Sequence, residues 1–132
     1  MPVLDTVVLF AAADSKDRHH SVAKNHMKDV RKKNYRVSAF ALLEFDIVLK
    51  SRGFSFDERM EKAALLIRDF PQVTKQISSI TPATIYLTAR LEKELSMDYF
   101  DAGVASEALQ SDGVVVSTDR IFDTVPNLTR VW

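Results

Sequence analysis

Val3-Leu4-Asp5-Thr6-Val7-Val8-Leu9-Phe10 decides how this chain is read, because it is an apolar, β-branched run broken by one carboxylate. Such a run has the pattern of a strand buried on both faces of a parallel sheet. Gly113-Val114-Val115-Val116-Ser117 repeats the pattern late in the chain, and residues 129–132 suit a short edge strand. Two buried strands this far apart in sequence need helical crossovers between them, so the intervening residues should read as helices.

They do. Residues 16–33 carry Val22, Ala23, His26, Met27 and Val30 at helical spacing, with Lys24, Lys28 and Arg31 on the other side. Ser38 is placed to N-cap a helix over 39–51, apolar nearly all round and therefore expected to be buried, which Gly53 ends. Ser55 followed by Glu58 forms a capping box, and Met60, Ala63, Ala64, Ile67 and Phe70 mark one face of the helix that runs to Pro71. Residues 75–79 read as a short strand. Thr81-Pro82 supplies an N-cap and a first-turn proline for a helix to about Glu94, and Ser96 opens another to about Gln110. The alternation predicts an α/β protein, three-layer α/β/α with a central parallel sheet.

The 132 residues fit one domain spanning 1–132, and 46% apolar with 27% charged residues is an ordinary globular composition. With no cysteine, disulfides, thiolate zinc sites and cysteine nucleophiles are excluded. Gly53, Gly103 and Gly113 lie too far apart to build a glycine-rich phosphate loop. No apolar run approaches the roughly 20 residues of a spanning helix, and the first dozen residues lack a basic n-region, so a cytoplasmic location is expected.

Ligands of parallel α/β sheets gather at the carboxyl ends of the strands, which directs attention to Asp5 and Asp119. Asp5 interrupts an apolar run and must be paired, hydrogen-bonded or bound to a cation. Asp119 follows Val-Val-Val-Ser-Thr and could equally N-cap a short helix holding Ile121 and Phe122. Glu44 sits among Phe40, Ala41, Ile47 and Val48 on a helical face expected to be buried, whereas Asp46 lies about 200° round the helix and suits a surface pair with Lys50. Asp101 faces apolar company and shares a helical face with Asp98; either could serve a helix N-terminus. Taken together, Asp5, Glu44, Asp101 and Asp119 would repel one another unless a cation compensated them, and acids without His or Cys are the ligand set of Mg²⁺ or Mn²⁺.

Leu4-Asp5-Thr6-Val7-Val8-Leu9, the segment from Ser38 to Glu44, Asp101-Ala102-Gly103-Val104-Ala105 and Val116-Ser117-Thr118-Asp119-Arg120-Ile121-Phe122 occur in an order and spacing that resemble the PIN-domain nucleases, specifically the small VapC-type toxins of prokaryotic toxin–antitoxin pairs. The resemblance covers nearly the whole chain, including the gap of 18 residues from Asp101 to Asp119. It implies a PIN-like fold and a metal-dependent endoribonuclease that hydrolyses RNA phosphodiesters to 5′-phosphate and 3′-hydroxyl ends. It makes Asp5, Glu44, Asp101 and Asp119 the catalytic, metal-holding acids, with Thr6, Ser117 and Asp98 in support, and it implies an identical subunit and a cognate antitoxin as partners. Valine at position 7, Ser117, Gly103 and Ser106 depart from the family's pattern.

Residues 16–36 hold eight basic and two acidic side chains, so a +6 stretch is balanced by −6 elsewhere and the chain's zero net charge hides a dipole. Lys24, Lys28 and Arg31 are the expected RNA-backbone contacts, the alternative being a solvated helix face. His19, His20 and His26 suit helix packing or solvent better than metal ligation. Two other classes compete: a receiver-type phospho-acceptor domain, which needs paired acids near the first strand and a lysine after a late one, and a catalytically weak RNA-binding module with the same fold.

Overall fold

The computed structural model describes residues 1–30, 32 and 34–132, and for Thr74 the backbone alone. Four short strands, β1 (Val3–Leu4), β2 (Arg36–Val37), β3 (Val114–Val116) and β4 (Thr129–Val131), form a parallel sheet in the order β2-β1-β3-β4. Among the described residues six helices accompany it: α1 (Thr6–Ala13), α2 (His20–Lys28), α3 (Ala39–Ser51), α4 (Phe56–Asp69), α5 (Pro82–Leu95) and α6 (Tyr99–Leu109). This is the α/β/α arrangement with a central parallel sheet that the alternation predicted. Val3, Leu4, Val115 and Val116 are fully buried at its centre, joined by Phe40 and Phe122. The chain leaves β1 for β2 on one side and reaches β3 on the other, so the sheet's switch point lies between β1 and β3. Crevices for ligands open there, at the strands' carboxyl ends.

The opening run departs from its reading as one strand. It is extended only through Leu4; Asp5 sits at the N-cap with φ −84° and ψ 168°, and Thr6 begins α1. Val8, Leu9, Ala11 and Ala12 are buried because α1 packs against both α2 and α3, which makes the helix apolar all round and hides its period. Apolar helices of this kind cannot be told from buried strands by periodicity. The segment read as a strand over 75–79 is instead a 3-10 turn, Val73–Lys75, followed by one bridge from Ile77 to Val37. The strand on that edge is β2, whose two residues are too few to carry a pattern.

Helix boundaries hold where caps are chemically distinct. Ser38 accepts from the Ala41 N–H at 3.0 Å, Ser55 and Glu58 close their capping box, and Thr81 caps α5 with Pro82 in its first turn. Gly53 follows α3 at φ 83°, a left-handed conformation that favours glycine. Ser96 does not open a helix. It ends α5 at φ 53°, and Asp98, accepting from the Asp101 N–H at 2.9 Å, begins α6. The helix read over 16–33 is the shorter α2, and Arg31, the third predicted RNA contact, lies outside the described residues.

Two faces are more exposed than their sequences imply. On α3, Leu43 and Ile47 are 53% and 48% exposed. On α4, Met60, Ala63, Ala64 and Ile67 face outward while Leu66 and Phe70 enter the core, because this helix touches the body along a narrow line through Leu66. Asp46 finds Arg59 of α4 rather than Lys50, through bonds of 2.9 and 2.6 Å, since a guanidinium grips a carboxylate with two donors.

Candidate active site

The switch point collects the acids. Asp5 follows β1, and its backbone N–H donates to Val116 O of β3 at 3.1 Å, which ties the two strand ends together. The Ser117 hydroxyl, fully buried after β3, donates to Asp5 Oδ2 at 2.8 Å and accepts from the Asp119 N–H at 3.0 Å. One hydroxyl therefore sets the relative position of two carboxylates. Asp119 also caps the 3-10 turn Arg120–Thr124 by accepting from Ile121 N–H at 2.9 Å, so the capping alternative is realised together with its place beside Asp5.

Glu44 enters from α3, with Asp98 and Asp101 from the start of α6. Each of these three offers a carboxylate oxygen, and the oxygens lie within 4.8 Å of one another. Glu44 is half-buried rather than deep in a buried face, and Asp98 is exposed and belongs to the tightest trio instead of supporting it from outside. All four sequence-predicted acids feel one another. Burial raises Asp101 to about 7, with the charges of Asp98, Asp5, Asp119 and Glu44 pushing the same way. Asp5 rises to about 6, chiefly through burial, against the lowering hydrogen bond from Ser117. Burial also raises Glu44, with Asp98 and Asp119 adding repulsion. No Lys or Arg among the described residues offsets any of these three shifts.

Thr6 approaches Glu44 closely enough to temper that rise, yet its buried Oγ1 makes no hydrogen bond among the described residues. An unpaired hydroxyl beside carboxylates that repel one another is a donor set that a cation would fit. All its donors are oxygens, which suits a hard divalent ion. The histidines stand elsewhere: His20 Nδ1 meets Ala11 O at 2.8 Å, and His19 and His26 each pack edge-on to Trp132 at 5.2 Å.

The departures from the family's pattern have structural reasons. A Cβ on Gly103 would lie 2.3 Å from the Phe40 ring, so α6 needs glycine there for α3 to approach. Ser106 shares a 2.9 Å hydrogen bond with Thr88, which seats α6 on α5.

A groove leads away from the acids along α1 and α3. Its volume is about 480 Å³, and Phe10, Phe45, Phe54 and Trp132 line it together with Arg52, whose guanidinium sits 5.2 Å above Phe10. Thr118 also lines it. The sequence carries no signal for this groove, because α1 is apolar all round and has no spacing that marks its exposed face. Lys24 and Lys28 line a second groove with Ala12, Ala13 and Asp69, at the end of α1 remote from the acids.

A parallel sheet whose switch point gathers acids from β1, α3, α6 and the β3 exit defines a PIN-type α/β domain, and the chain belongs to the PIN domain family, whose model matches residues 3–128. Members of this family are generally nucleases built on an acidic cluster. Three solved structures resemble it. VapBC2 from Rickettsia felis, bound to a DNA fragment from its promoter, superposes with a TM-score of 0.71 at 18% identity, covering 98% of this chain and 96% of that one. FitAcB from Neisseria gonorrhoeae gives 0.68 at 14% identity over 91% and 88%, and PAE2754 from Pyrobaculum aerophilum gives 0.61 at 18% over 97% and 87%. No curated protein matches at a significant level. The receiver reading needs a lysine after a late strand, and none stands directly after β3.

Proposed function

We propose that this protein is a metal-dependent endoribonuclease, hydrolysing RNA phosphodiester bonds, and the toxin of a toxin–antitoxin pair. The observation that carries this reading is the convergence of Asp5, Glu44, Asp98, Asp101 and Asp119 at the sheet's switch point in a PIN domain. Asp5, Glu44, Asp101 and Asp119 are the ligands for Mg²⁺ or Mn²⁺, and Asp98, whose Oδ1 also caps α6, joins them. A divalent ion held there would acidify a water and neutralise charge on the phosphate. Ser117 keeps Asp5 oriented toward the cluster, and Thr6 offers its free hydroxyl to whatever the acids hold.

Resemblance to VapBC2 and FitAcB supports an antitoxin partner. The aromatic groove suits an apolar antitoxin segment that ends at the acids with a basic side chain. An identical subunit is the second expected partner; Ile85 and Tyr86 of α5, 46% and 69% exposed, offer it apolar surface. No described helix is long and apolar enough to cross a membrane, in keeping with the cytoplasmic location we propose.

The direct test is incubation of the pure protein with a mixed RNA pool, with and without Mn²⁺, followed by mapping of the new ends. Cleavage that needs the metal and leaves 5′-phosphates is expected. Full cleavage in EDTA, or 2′,3′-cyclic phosphate ends, would refute the mechanism.

Lys24 and Lys28 are proposed to bind the RNA backbone. Six residues of α1, Thr6 to Ala11, separate their groove from Asp5, about 9 Å at 1.5 Å per residue, so they would hold RNA outside the cleavage point. Replacing both by Gln should flatten the salt dependence of RNA binding, with the log–log slope falling by roughly 0.7 for each phosphate that is no longer neutralised. An unchanged slope would return them to a solvated face on which Asp69 already answers their charge.

A further inference from the structure

Seven consecutive residues of α6, Ala102 to Ala108, are buried, and one of them is a carboxylate. Glu107 is 4% exposed and belongs to none of the acids at the switch point. Its Oε1 accepts from the Ala39 N–H at 3.2 Å and the Phe40 N–H at 3.4 Å. Ser38 takes the next donor, Ala41 N–H, at 3.0 Å. The first three amides of α3, which no residue within the helix can satisfy, are thus shared between its own N-cap and a side chain from another helix. Burial pushes the Glu107 carboxyl up to about 7, against the lowering effect of the Phe40 and Ala39 amides, while its Oε2 is buried with no hydrogen-bond partner among the described residues. An acid in so unfavourable a place must do something a smaller polar residue would not.

What it does is visible in the packing of α3 on α6. The stripe Tyr99, Gly103 and Glu107 on α6 meets the stripe Phe40 and Glu44 on α3, each spaced by four residues and so on one helical face. Glu107 grips α3 at its first turn; Gly103 admits the Phe40 ring; Tyr99 meets that ring edge-on at 5.6 Å. One turn further along α3, Glu44 arrives beside Asp98 and Asp101. A slip of α3 by a single residue would rotate Glu44 by about 100° and remove it from the trio.

The geometry points to Glu107 as a positioning residue: its carboxylate clamps the first turn of α3 to α6 and so fixes the register in which Glu44 meets Asp98 and Asp101. This rests on the acids holding a divalent ion, and its test separates the two claims. Mn²⁺ binding would be measured by calorimetry on the full chain and on Glu107→Ala, Glu107→Gln and Leu91→Ala, alongside metal-free melting. Leu91 is buried on α5, which packs chiefly on α6, and controls for general loss of stability. Glu107→Ala should weaken Mn²⁺ binding by about 10-fold or more, within the range for removing a group that orients a ligand. Glu107→Gln keeps an oxygen acceptor for the two amides and should restore the affinity to within about threefold. Leu91→Ala should melt at least as early yet bind within about twofold of the parent.

Unchanged affinity in Glu107→Ala, no rescue by Gln, or losses that merely follow melting temperature in all variants would overturn the clamp. If the parent itself bound no Mn²⁺, the metal assignment would fail and amide exchange would judge the clamp alone. Exchange from Phe40 to Phe45 should then rise at least tenfold in Glu107→Ala, with the interior of α6 unaffected. Equal exchange in parent and variant would overturn it.

Discussion

Asp5→Asn is expected to reduce metal-dependent RNA cleavage by roughly 100-fold or more while leaving the fold intact, an effect of the size seen when one preorganised electrostatic group is removed. Asp5 directly follows β1, is 3% exposed, and already has Ser117 bound to its Oδ2. An asparagine must turn its only side-chain oxygen toward that hydroxyl to keep the bond, and its NH₂ would then face the other acids. A donor would stand where an acceptor is needed. Because burial already raises Asp5 to about 6, the neutral amide costs no more to bury than the charged acid, so melting temperature should hold or rise. Initial rates on end-labelled RNA, with melting curves of the same preparations, check this. A variant that cleaves at the parental rate would remove Asp5 from the mechanism.

The same residues show how far the chain's function could be read without coordinates. Asp5 stood out because a carboxylate in a run of valines and leucines is costly unless something compensates it, and that holds whether the run is strand or helix. The place of this carboxylate at the end of a buried strand was therefore legible although the residues after it form a helix. Asp119 was legible for the same reason after β3. Asp98 was harder, because Ser96 and Asp98 are both good caps two residues apart and only the left-handed turn at Ser96 separates the end of α5 from the start of α6. Glu107 was missed. Its signal was an acid among alanines in the buried stretch of α6, overlooked because its partners are backbone amides of α3, far away in sequence. The exposed faces of α3 and α4 were misjudged since spacing shows which residues share a face, not whether anything covers it.

Asp101→Asn should raise the melting temperature of the metal-free protein at pH 8 and abolish most of its response to Mn²⁺. Asp101 makes no side-chain hydrogen bond among the described residues; it is Asp98 that caps α6, by accepting from the Asp101 N–H. Removing its charge thus removes repulsion and no cap. Burial and four neighbouring acids raise its folded value from 3.8 to about 7. A raised acid means the folded state binds more protons than the unfolded, so its contribution is fully present below about pH 4 and is lost as pH rises through about 7. Parent and variant should therefore melt together at pH 4 and separate progressively between pH 4 and 8, with the variant more stable. Asp101 is only partly buried, and solvent screening will keep the gap well below what the full shift implies. Adding Mn²⁺ reverses the order. At 100 times its dissociation constant the ion stabilises the parent by roughly 2.7 kcal/mol by mass action, and the variant, short of one ligand, gains much less. A variant that melts below the parent at pH 8 without metal and retains the full Mn²⁺ response would make Asp101 a structural acid and would move the metal to Asp5, Glu44 and Asp119 without it.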